Sequence, residues 1–115
     1  MPVPSYHNPR CTKSRETLKL LNQRGIEPVI IDYLASPPTQ AELRQLLKHL
    51  GLKPRELLRT REPEYKLARV DNPATSDADI IRAMANHPKL IERPIVVSGN
   101  KAALGRPPEN ILMIL

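Results

Sequence analysis

The segment order β-α-β, then a helical block, then β-β-α predicts an α/β fold: a four-stranded mixed sheet flanked by helices. Three observations carry that prediction. PVIIDYL at 28–34 and RPIVVSG at 93–99 are rich in β-branched residues, as strands are. Leucines recur at helical spacing after the first strand and again from residue 43. Between the two β-rich runs, Thr39 with Glu42 and Ser76 with Asp79 have the spacing of helix-opening capping motifs.

Taken in order, VPSYH (3–7) is a short strand, with Pro4 unable to donate to a ladder. A helix from Lys13 to Arg24 places Thr17, Leu18, Leu20 and Leu21 on one face, and Gly25 stands where a left-handed cap would be. PVIIDYL is expected to be a strand buried on both faces, as in a parallel sheet. SPPT (36–39) ends it, and the Thr39–Glu42 capping box opens a helix through Leu43, Leu46, Leu47 and Leu50, closed by Gly51. PRELLRTR, from Pro54, is a short amphipathic segment. EPEYKLARVDNPA (62–74) gives mixed signals. Ser76 then opens a helix carrying Ile80, Ile81 and Met84, which should stop by His87-Pro88. RPIVVSG is a strand, NKAALG (100–105) its hairpin return, and RPPENILMIL (106–115) a final helix with proline in its first turn. A helical insert at about 39–89 between a βαβ and a ββα unit is a thioredoxin-like arrangement, expected as a single domain over 1–115.

Composition narrows the function classes. With 115 residues one domain is expected, and a hydrophobic fraction of 40% is enough to give it a packed interior. Trp and Phe are absent and only three tyrosines are present, so that interior is expected to be Leu, Ile and Val. No apolar run approaches the roughly 20 residues needed to cross a bilayer, and residues 1–9 lack a signal-peptide pattern. A soluble cytoplasmic monomer with no membrane partner is the expectation. The formal charge of +6 is spread along the chain, without Cys/His metal spacing and with little aromatic surface for base stacking. Nucleic acid and a bound metal are therefore not expected.

Chemistry concentrates at SYHNPRCTKSRET (5–17), which holds the only cysteine. After a first strand and a tight loop, Cys11 falls at a helix N-terminus, where unpaired amides and the helix dipole favour thiolate over thiol. Arg10, Lys13 and Arg15 add positive charge. The hydroxyls of Thr12 and Ser14 can donate to the sulfur or to a docked anion, and His7 can add a proton or charge. The neighbours are polar and turn-forming, which sets Cys11 apart from an apolar stripe. CTKS is C-x-x-S, so a modified Cys11 needs an external thiol for its release and a self-contained disulfide oxidoreductase is excluded.

Four ordered segments, YHNPRCTKSRETL, LLRTRE, HPKLIERPIVV and GRPPE, resemble the glutaredoxin-dependent arsenate reductase family, of thioredoxin-like fold, from Tyr6 to the C-terminus. The resemblance implies that Cys11 is the nucleophile and that Arg59, Arg93 and Arg106 bind the substrate anion. It implies a cis bond before Pro94 facing the thiol. It also implies no bound cofactor, arsenate as substrate, glutathione as co-substrate and a glutaredoxin as partner. Guanidinium groups suit such an anion, because they stay charged and bind tetrahedral oxyanions bidentately. Thr12-Lys13 stands where the family most often has Gly-Thr. Two other readings of the same fold stay open: a partner-binding regulator of the Spx type, and a glutathione-linked thiol transferase without arsenate activity.

Overall fold

The computed structural model describes residues 2–115, which fall into two compact units: residues 2–36 with 93–115, and Pro37–Glu92. The first unit contains β1 (Pro4–His7), α1 (Thr12–Gln23), β2 (Val29–Asp32), β3 (Ile95–Ser98), β4 (Lys101–Leu104) and a 3₁₀ helix at Pro108–Ile114. Its sheet has the order β2-β1-β3-β4, with β1 parallel to β2 and antiparallel to β3, and β3 antiparallel to β4. This is the mixed four-stranded sheet with flanking helices that the segment order predicts.

Pro4 is accommodated because it opens β1: the register with β3 begins at Ser5, so no ladder bond to β3 requires a Pro4 amide. The expectation for PVIIDYL fails in one respect. Its β2 lies at the sheet edge, and Val29 and Ile30 are 50% and 46% exposed. Its β-branched residues report a preference for pleated backbone and carry no information about which strand position they take. Tyr33, just after it, is buried.

The core of this unit joins Leu21, Val96 and Ile111, all fully buried, with Val3, Leu20, Ile26, Ala103 and Ile114 packed around them. Each such aliphatic side chain contributes about 1.5–3 kcal/mol on burial, so a core without Trp or Phe is sufficient for a unit this small. The C-terminal segment differs from expectation in pitch. It forms a 3₁₀ helix, in which residues three apart eclipse, so Pro108, Ile111 and Ile114 share one side. Pro108 and Ile111 are buried and Ile114 is partly buried against the cluster.

The second unit contains α2 (Gln40–Leu50), α3 (Glu64–Leu67), α4 (Asp77–Asn86) and 3₁₀ helices at Pro54–Leu57 and Pro88–Leu90. Both capping motifs are present. Thr39 Oγ1 accepts from the Glu42 amide at 3.1 Å while Glu42 Oε1 accepts from the Thr39 amide at 3.2 Å, and Ser76 Oγ accepts from the Asp79 amide at 3.2 Å. Gly51 closes α2 in the left-handed region at φ 69°, where a side chain would be strained. Leu43, Leu46 and Leu47 of α2 and Ile80, Ile81 and Met84 of α4 are buried, together with Leu57, Leu58, Val70, Leu90 and Ile91. No helix among the described residues is long and apolar enough to cross a membrane.

Candidate active site

The loop between β1 and α1 is built around Asn8. Its carbonyl accepts from the Cys11 amide at 2.9 Å, closing a turn over Pro9 and Arg10, and its Oδ1 accepts from the Arg10 amide at 3.0 Å. Asn followed by Pro is the pairing that initiates such turns, because asparagine bonds its own downstream backbone and proline presets φ. Asn8 also donates its backbone N–H to Ser14 Oγ at 3.3 Å, which ties the loop to the first turn of α1. Arg15 bridges the same loop from outside, donating to the Pro9 carbonyl at 3.0 Å and to Thr12 Oγ1 at 3.3 Å.

Cys11 is the N-cap of α1, in extended conformation, and its carbonyl accepts the first helical bond from Arg15 at 3.1 Å. Partial burial pushes its thiol pKa up. Against that, hydrogen bonds to the sulfur from the Ser14 amide, the Arg93 guanidinium, the Ser14 hydroxyl and the Lys13 amide pull it down, and the balance leaves it at about 7. Ser14 is fully buried, so its hydroxyl sits between the Asn8 amide and the sulfur with no competition from bulk water.

Arg93 opens the β3 side of the site. Its peptide to Pro94 is cis, as the resemblance implied, and so is Arg106–Pro107. The Arg93 Nε is buried and has no hydrogen-bond partner among the described residues, which leaves the guanidinium a donor beyond the one it directs at sulfur. Arg106, exposed at the end of β4, donates from Nη1 to the Arg93 carbonyl at 3.1 Å. Pro94 is buried, and its carbonyl accepts from the Gly105 amide at 2.9 Å. The first unit therefore brings together Cys11, Ser14, Arg93, Pro94 and Arg106.

The other residues that the sequence singles out lie elsewhere or play smaller parts. His7 is buried in β1 with Nδ1 unpartnered, and its pKa is lowered chiefly by burial, which outweighs the pull of Asp32 on the paired strand. Its imidazole is thus neutral near pH 7 and adds no charge. Thr12 is exposed, with its hydroxyl engaged by Arg15. Lys13 pairs with Glu16 at 3.8 Å on a solvent-facing turn. Arg59 belongs to the second unit, where Nη1 meets Glu92 at 2.8 Å and Nε meets Glu62 at 3.3 Å. Asn8 and Gly105 are the positions that sequence reasoning passed over. The Asn-Pro pair in HNPRC signals the first. The second has no local signal, because only packing explains it: a Cβ at Gly105 would collide with Thr17 Oγ1 and lie 2.8 Å from Pro94 Cγ.

Comparison with known proteins bears on the family and the fold. The ArsC family model matches residues 6–114. The chain is 47% identical to the arsenate reductase of Haemophilus influenzae over 116 residues, covering all of both chains. It is 51% identical to the Escherichia coli protein YfgD, described as uncharacterized, over 98% of this chain and 96% of that one. The solved structure of the arsenate reductase from Vibrio cholerae superposes with a TM-score of 0.96 at 50% identity, covering 100% of this chain and 98% of its own. With sequence, sheet topology and family model in agreement over almost the whole length, the chain belongs to the ArsC family.

Proposed function

We propose that the chain is an arsenate reductase in which Cys11 is the nucleophile and arsenate leaves as arsenite, with glutathione and a glutaredoxin supplying the electrons. The observation that carries this reading is the Cys11–Arg93 pair: a thiol held at about 7 with a guanidinium on the sulfur and a buried, unfilled Nε donor beside it. At pH 7 such a thiol is about half ionised, against a few per cent for an ordinary cysteine, roughly a tenfold gain in nucleophile. Arsenate is a tetrahedral anion, which repels a bare thiolate. Arg93 and Arg106 offset that repulsion and present donors of the geometry an oxyanion accepts.

The steps balance as follows. The Cys11 thiolate attacks arsenic and an arsenate oxygen leaves as water, forming a Cys11–S–As(V) ester. Glutathione displaces a second oxygen to give an arsenic bearing two sulfurs. A glutaredoxin thiolate then attacks the glutathione sulfur, and the electron pair of that As–S bond falls to arsenic. This gives As(III) on Cys11 and a glutathione–glutaredoxin mixed disulfide. Water releases arsenite and returns Cys11 to its thiol, so two external thiols lose the two electrons that arsenic gains. No resolving cysteine is needed, in keeping with Ser14 at the C-x-x-S position.

A part for Arg59 in anion binding rests on the motif resemblance, since the guanidinium in its own unit is held by Glu62 and Glu92. Purified protein with glutathione, glutaredoxin and an NADPH-coupled glutathione reductase is expected to oxidise NADPH only when arsenate is present. Absence of arsenate-dependent turnover, or turnover unchanged in Cys11→Ser, rejects the proposal.

A further inference from the structure

The second unit contains a polar cavity of about 420 Å³ that the chemistry above does not use. Arg69, Asn72, Asp79, Arg82, Asn86 and His87 line it. Arg82 is ion-paired with Asp79, so these two charges offset each other. The Arg69 guanidinium has no acceptor among the described residues, and neither amide nitrogen, of Asn72 or of Asn86, donates to a protein group there. The cavity therefore has one uncommitted cation and two uncommitted amide donors.

The loop that presents Arg69 is built with unusual care. Arg69 has φ 59°, the one non-glycine residue at positive φ among those described, a conformation costing roughly 1–2 kcal/mol for a side chain of this kind. It is held there by Thr75 Oγ1, which donates to the Arg69 carbonyl at 2.7 Å, and by its own amide donating to Lys66 at 3.0 Å. Arg55 braces the loop further, donating to the carbonyls of Val70 at 2.8 Å, Asn72 at 3.1 Å and Thr75 at 3.4 Å. Asn72 Oδ1 accepts from the Ala74 amide at 2.9 Å, and Val70 is fully buried beneath. Four loop carbonyls, those of Arg69, Val70, Asn72 and Thr75, and the side-chain oxygen of Asn72 are thus taken up internally, while the Arg69 guanidinium and the Asn72 amide nitrogen are left as donors at the cavity. A strained residue persists where its surroundings over-determine it, and such positions cluster at binding sites.

We infer that this cavity is an oxyanion-binding site in which Arg69 takes the carboxylate or phosphate group of a small polar molecule, with the Asn72 and Asn86 amides as further donors. The volume falls in the range of small-molecule pockets, about 300–1,000 Å³, and exceeds what a bare tetrahedral anion fills. Arg69, Arg82 and Asp79 sum to a formal charge of +1, which suits a ligand of net charge −1. Two sources share this chemistry: a phosphate, and the carboxylates of a short acidic peptide such as glutathione.

The test is an amide NMR titration of the full chain with inorganic phosphate and, separately, with S-methylglutathione, whose thiol is blocked. Saturable shifts in residues 68–87 are expected with at least one probe, and the probe that gives them names the ligand class. Arg69→Asn, which keeps a residue tolerant of the left-handed region while removing the charge, should weaken that binding about tenfold or more, as loss of a charge-assisted hydrogen bond does. Arg69→Lys should retain part of it, and Arg93→Gln should leave it unchanged. Shifts confined to the Cys11 loop, no saturable shift with either probe, or an Arg69→Asn titration matching wild type would overturn the inference. Arsenate turnover is measured separately and its loss would not produce any of these outcomes.

Discussion

Arg106 donates from Nη1 to the carbonyl oxygen of Arg93 at 3.1 Å, so each of the two arginines at this end of the sheet fixes part of the other's setting. Arg93 reaches the Cys11 sulfur with its side chain while its backbone is held by Arg106, whose own carbonyl accepts from Asn110 Nδ2 at 3.0 Å. Charge alone is therefore not what Arg106 supplies. Lysine keeps the charge but lacks the planar fork that can bond a carbonyl and an oxyanion together. Arg106→Lys is expected to lower kcat/KM for arsenate about tenfold, the equivalent of one hydrogen bond of about 1.4 kcal/mol, and Arg106→Gln about a hundredfold. Steady-state kinetics of the two variants decide it: a lysine variant equal to wild type would show that charge suffices.

Ser14 is expected to control the thiol. Burial raises the Cys11 pKa and the bonds to sulfur lower it, so removing the Ser14 hydroxyl leaves burial less opposed and the pKa rises from about 7. Since the thiolate is the reacting species, the alkylation rate of Ser14→Ala should reach half its plateau at higher pH, with the largest loss relative to wild type below pH 7. The sign for stability follows: a thiol pKa depressed in the folded chain contributes stability above the ordinary thiol range and loses it as pH falls through about 7. Ser14→Ala also leaves the buried Asn8 amide without its acceptor, a cost of about 1–3 kcal/mol that a thermal melt would register. An alkylation midpoint that stays at about 7 would remove Ser14 from this role.

Gly105→Ala tests why a glycine follows β4 before Arg106. The added methyl would meet Thr17 Oγ1 and Pro94 Cγ, neither the free end of a flexible chain, and overpacking of this kind costs about 1–3 kcal/mol. Thr17 Oγ1 is buried without a partner, so Thr17→Ala relieves the collision and discards an unsatisfied hydroxyl together. The double variant should recover part of the lost melting temperature, a positive coupling between neighbours in contact. Additive losses in the two single variants would show that the methyl is absorbed elsewhere.

How much of this was legible in the sequence depends on the range of the interaction involved. The helix start at Cys11, both helix caps of the second unit and the existence of the four strands follow from local patterns, since Thr-x-x-Glu, Ser-x-x-Asp and β-branched runs act within a few residues. Exposure of Val29 and Ile30 was not legible, because edge position is set by which strand pairs with which. The same holds for Gly105, whose need for a bare Cα comes from Thr17, far away in sequence. The neutral state of His7 arises from burial by the fold rather than from its neighbours in the chain. The Arg69 loop lies in the segment whose pattern was mixed, and its order comes from Arg55 reaching across from the 3₁₀ helix at Pro54–Leu57.

Arg59 gives the last prediction, because its surroundings set two demands against each other. Its guanidinium is about one-fifth exposed and is shared between Glu92 at 2.8 Å and Glu62 at 3.3 Å. An oxyanion recruited by Arg59 would have to share donors with those carboxylates, and the closer one competes more. Glu92→Gln keeps a hydrogen-bond acceptor but removes the charge, so it should lower the KM for arsenate, while Arg59→Gln should raise it. Both changes leave the pair incomplete, and part-exposed pairs are worth about 1 kcal/mol or less, so stability should move little in either variant. If instead Arg59 serves only to hold Glu62 and Glu92 within its unit, both variants will change the melting temperature by a similar small amount and leave KM where it was. Measured together, KM and melting temperature separate an anion-binding arginine from a structural one.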